Sequence, residues 1–174
     1  MTNKRRMLPR AGQKILKPTH SLFAKVFGVG LIVLLVLMIG RLGDEGVTRQ
    51  AGDPALLYIL IYGVNLGLLG TVATGLVYTL YTPWGFLRHR WIIAKWAGCA
   101  VIIAVMCAGL APTILEITEM GDGGLHPAGF ADEYQAVVGR GVLWCGIEII
   151  LMVMLSIASV FKPGGRRGSG GEAR

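Results

Sequence analysis

Four long apolar stretches alternate with short polar ones along the 174 residues. The first runs from about Ser21 to Gly40, the second from Ala55 to Tyr81, the third from Trp91 to Leu115 and the fourth from Tyr134 to Phe161. At a helical rise of about 1.5 Å per residue, stretches of roughly 20 residues match a hydrocarbon core about 30 Å thick. The pattern therefore predicts an all-α integral membrane protein. Its short connections predict an up-down-up-down four-helix bundle. The expected organisation is a basic tail over 1–18, a four-helix transmembrane domain over 19–161 and a tail over 162–174. Pro18-Thr19-His20-Ser21 reads as the start of the first helix, with Thr19 or Ser21 as cap. Pro112 reads as a kink or an end in the last turn of the third, and 116–133 as an acidic outer loop.

Charge orients these spans. Lys4, Arg5, Arg6, Arg10, Lys14, Lys17 and Lys25 lie before or at the start of the first span. Arg88, Arg90 and Lys95 lie between the second and third, and Lys162, Arg166 and Arg167 follow the fourth. Glu116, Glu119, Asp122, Asp132 and Glu133 fall on the other side. By the positive-inside rule both termini are cytoplasmic, in a bacterial-type inner membrane. The net charge of +7 is then an attraction to anionic headgroups, and no motif for nucleic acid accompanies it. The expected partners are membrane lipids, and a membrane-protein partner or a second copy of the chain. Hydrophobic residues make up 53% of the chain, which leaves no room for a separate soluble catalytic domain.

Small residues suggest how the helices meet. Gly63-x-x-x-Gly67 permits close backbone approach, and Ala100, Ala104 and Ala108 form a smooth stripe. Cys99, Cys107 and Cys145 all fall inside spans and read as small packing residues.

Few residues carry candidate chemistry. Glu148 sits near the middle of the fourth span. A carboxylate at that depth costs about 2.5–3.5 kcal/mol on insertion scales, so it belongs against the bundle interior or a water pocket. It is either a proton- or cation-linked site or a protonated acid bonded to a neighbouring helix. Asn65 lies at similar depth with Tyr62 nearby, and these three form the candidate ligand or proton site. Arg140, two turns outward, is expected at the outer surface or paired with Glu116, Glu119 or Glu133. His20 and His89 are the one histidine pair on a common side, where haem would sit at the rim; no cofactor and no metal site is predicted. P-loop, dinucleotide, nucleophile-elbow and H-E-x-x-H signatures are absent.

The segment Thr82-Pro83-Trp84-Gly85-Phe86-Leu87-Arg88-His89-Arg90-Trp91, continuing to Lys95-Trp96, is the most distinctive in the chain. Its Trp84, Arg88, Arg90, Trp91, Lys95 and Trp96 read as headgroup anchors. The segment resembles one in a family of uncharacterised bacterial four-span integral membrane proteins, with W-G-F, a short basic stretch, R-W, then K-W entering the third helix. Thr19-His20-Ser21-Leu22 is similar to that family's His-bearing helix start. The resemblance implies four spans and no particular activity. A more distant likeness to copper-resistance and cytochrome-type four-helix proteins rests on architecture alone. The sequence favours a non-enzymatic accessory or scaffold membrane subunit; the alternatives are a small proton-coupled transporter using Glu148 and a membrane haem-binding redox protein.

Overall fold

The computed structural model describes residues 9–42, 54–81, 90–121 and 130–161. These are four helices, and each is long and apolar enough to cross a membrane. Helix α1 is Arg10–Arg41 and α2 is Pro54–Tyr81. Helix α3 covers residues 90–121, and α4 is Phe130–Phe161. Trp84, Arg88 and His89, and the expected tail over 162–174, lie outside the described residues.

Three boundaries differ from the sequence reading. Helix α1 begins at Arg10 and carries Pro18 in its interior, so residues 10–17 are helix rather than tail. Proline removes an N–H from the ladder. Thr19, the next residue, donates its hydroxyl to the Ile15 carbonyl at 2.9 Å, and the helix continues through the proline. Helix α3 runs past Pro112 to Gly121. The turn just before the proline, Met106–Leu110, is a π-helix turn, wider than an α turn. The wider turn relieves the clash between the pyrrolidine ring and the preceding turn, and Thr113 adds a bond to the Gly109 carbonyl at 2.8 Å. Glu116 and Glu119 are thus on α3, and Asp132 and Glu133 are in the first turn of α4. Helix α2 starts within one residue of expectation and has its own π turn, Ile59–Asn65.

Helix α1 packs against both α2 and α4, α4 packs against α3, and α2 and α3 barely touch. Glycines set these approaches. A methyl group on Gly67 would fall 2.7 Å from the Phe27 Cα, so only glycine lets α1 and α2 run this close. Gly63 meets Gly30 on the same interface. On α3, Gly109 receives the indole face of Trp144 of α4. The expected role of Gly63 and Gly67 therefore holds. The alanine stripe does not face inward: Ala100, Ala104 and Ala108 are all exposed on the outer face of α3.

The fully buried core is concentrated where α1 ends and α4 begins, here termed the acidic end. Leu34, Met38, Leu56, Leu110, Ile114, Ile117, Val138 and Tyr134 are buried there. Arg41 folds back to its own helix, donating from Nη1 to the Leu37 carbonyl at 2.9 Å, and the Arg41 carbonyl accepts from Gln135 Nε2 at 3.1 Å. Arg140 pairs with Glu116, with Nη2 3.0 Å from each carboxylate oxygen, which selects one of the partners open on the sequence. It ties α3 to α4 at the surface.

Candidate functional site

Two features stand out inside this frame: a buried acid and a cavity. Glu148 is on α4 and wholly buried. Its depth is fixed by contacts on either side. One turn toward the acidic end, Cys145 donates from Sγ to the Leu31 carbonyl of α1 at 3.2 Å. One turn the other way, Met152 lies against Gly28, where an added methyl would stand 2.9 Å from its sulfur. On the α3 side, Trp144 covers Gly109 and Leu155 covers Gly98. Glu148 is held between these contacts, sealed by the packing of α1 and α3 on α4. Neither carboxyl oxygen has a hydrogen-bond partner among the described residues.

That isolation is unusual, because buried polar groups are nearly always bonded. The segment of α1 between Gly28 and Leu31 holds no ionisable side chain. Between Gly98 and Gly109, α3 has only the thiols of Cys99 and of the exposed Cys107. On α4 itself Cys145 is the nearest titratable group, one turn away. An ionised carboxylate left alone in such surroundings would be destabilising by several kcal/mol. The group is therefore built to hold a proton or to receive a partner.

The other two members of the candidate set are not brought to Glu148. Tyr62 is 66% exposed and stacks on Tyr58, with ring centroids 6.3 Å apart, on the outer face of α2. Asn65 closes the π turn of α2 and is half-buried. Neither residue is hydrogen-bonded to Glu148.

The cavity has a volume of about 300 Å³ and lies at the opposite, basic end, where α1 and α3 begin and α2 and α4 finish. All four helices line it, and the open gap between α2 and α3 creates it. Lys17, His20, Ala24 and Phe27 supply one face of α1, and Trp91, Lys95, Cys99 and Ile102 supply one face of α3. Within each set successive residues are three or four apart, the spacing of one helix face. Trp91, Lys95 and Trp96, read from sequence as headgroup anchors, thus turn into the protein. Lys95 places its ammonium 5.9 Å from the Trp91 ring centroid, within cation–π range. Arg90 begins α3.

His20 is oriented by α2. The Thr74 hydroxyl gives its single hydrogen to the Gly70 carbonyl at 2.6 Å. Nδ1 of His20 is therefore the donor in its 2.9 Å bond to Thr74 Oγ1. With His89 outside the described residues, no haem-ligating pair is assembled among them. Nor do three or more His, Cys, Asp or Glu side chains converge as metal donors there.

Sequence reasoning missed Ser156 and Ser159, which line the cavity from α4, and Thr79, which lines it from α2. Their only sequence signal was hydroxyls on otherwise apolar helices, and in helices these side chains commonly bond back to their own backbone. All three do so here. No protein-family model, curated protein or solved structure matches the chain.

Proposed function

We propose that the protein is a proton-linked membrane carrier in which Glu148 is the group that takes up and releases the proton. On this reading the four helices form an up-down-up-down bundle in a bacterial-type inner membrane, with both termini cytoplasmic. The basic residues at one end and the acids at the other support that orientation. The observation that carries the proposal is a completely buried acid whose two oxygens lack a bonding partner among the described residues. An acid kept only for packing would be replaced by an apolar side chain at no loss, because the surroundings offer it no hydrogen bond. Intramembrane acids commonly serve proton relays.

The test is an infrared titration of the protein in lipid. A carboxyl C=O band should convert to carboxylate as pH rises, and the Glu148→Gln difference spectrum should isolate it. Proton-driven solute uptake in liposomes should be lost in the same variant. A folded Glu148→Gln protein with an unchanged titration would sink the proposal.

A second reading, an accessory or scaffold subunit, is favoured by the outward stripe of Ala100, Ala104 and Ala108. Small residues on a lipid-facing helix permit close association with another helix. Cys107 is exposed beside this stripe. Mild oxidation should then yield a Cys107-linked dimer in membranes, absent in Cys107→Ser; failure to cross-link at any protein density counts against self-association through this face. Membership of the four-span family suggested by the W-G-F segment is compatible with either reading.

A further inference from the structure

The cavity at the basic end has a shape and a charge distribution that specify a ligand. Its α1 wall extends from Lys17 to Phe27 and its α3 wall from Trp91 to Ile102. Walls of eleven and twelve residues of helix correspond to a depth of about 15 Å. A volume of about 300 Å³ over that depth describes an elongated slot, a shape that suits one extended chain.

The charge along this slot is one-sided. Lys17, Lys95 and His20 line its first turns, and among the described residues no carboxylate lines it. Deeper in, Phe27, Leu68, Ile102 and Met152 make the wall apolar. A lysine partly buried among indoles loses hydration without gaining an anion, which is unfavourable unless a ligand supplies the counter-charge. The side toward the gap between α2 and α3 is not closed by helix packing, which gives a chain-shaped molecule a lateral route in.

We propose that this cavity binds an amphiphile with one alkyl or acyl chain and an anionic head, a carboxylate or a phosphate. The head sits at Lys95, with Lys17 and His20 beside it, and the chain runs toward Met152. Ammonium–anion hydrogen bonds of this kind are worth about 1.5–3 kcal/mol, or about tenfold or more in affinity. The inference does not depend on the proton role of Glu148.

The experiment is equilibrium binding of radiolabelled decanoate to the full chain in zwitterionic nanodiscs at one pH. Saturable binding should be displaced by decyl phosphate or unlabelled decanoate. Decanol and decyltrimethylammonium should be at least about tenfold poorer competitors. Which of the two anions competes better identifies the head. Lys95→Met should weaken decanoate binding about tenfold, Lys95→Arg should retain it, and Glu148→Gln should bind as the native chain does. Absence of saturable binding, equal competition by decanol, or unchanged affinity in folded Lys95→Met overturns the proposal. Should Lys95→Met not fold, the headgroup competition on the native protein decides alone.

Discussion

At the acidic end, α3 and α4 are closed on each other by Trp144 over Gly109 and by Arg140 on Glu116, and the interior is filled by fully buried Leu, Ile, Val and Tyr side chains. At the basic end the same two helices stand across a cavity of about 300 Å³ from α2, with Lys95, His20 and hydroxyl groups on its walls. One end is shaped by the fit of apolar surfaces and the other by the lack of it. Without a hydrophobic drive between helices in lipid, close fit is the main source of association. The acidic end and the glycine-lined α1–α2 contact therefore hold the bundle, and the basic end is left free to bind.

The comparison is broken most strongly at Gly67. A valine there meets the backbone of Phe27, and overpacking of this kind is expected to destabilise by about 1–3 kcal/mol or more. Thermal unfolding in detergent, followed by circular dichroism, should show a drop in midpoint that Gly146→Ala does not share, because nothing lies within 4 Å of a methyl at Gly146. Equal effects at the two glycines would show that close approach of α1 and α2 is not what stabilises the bundle. A finer test compares two isoleucines of α3. Ile114→Ala in the filled end should cost roughly 2 kcal/mol through the void it leaves. Ile92→Ala beside the existing cavity should cost about half as much, because its neighbours are already incomplete. If Ile92→Ala proves the more damaging, the basic end is as tightly specified as the acidic one.

Much of the frame was legible in the sequence. Four apolar runs gave the four helices, and Gly63 with Gly67 marked a real close contact. Glu148 stood out as the single acid at depth, and the structure buries it. The errors have local physical causes. Pro18 and the lysines around it look like a tail, but the proline's fixed φ is itself helical and the helix runs through it from Arg10. Pro112 looks like an end, but a π turn accommodates it. The cavity was hidden for a different reason. Trp91, Lys95 and Trp96 have the composition of a membrane-surface belt, and only the separation of α2 from α3 turns them inward. The spacing of Trp91, Lys95 and Cys99 on one helix face was the available signal, and it says nothing about what that face meets.

Around the bundle the helices follow their chain order, and α2 and α3 are the one pair of neighbours that do not pack. During synthesis α1 and α2 find each other at once, through glycines already present in both. Helix α3 has no such partner when it is made. It must remain beside the insertion machinery, or in lipid with Lys95 exposed, until about 40 further residues have added α4. At usual elongation rates that interval is roughly 2–8 s. Assembly of this protein therefore contains a waiting period, and the α3 wall of the cavity, Lys95 included, spends it unpaired.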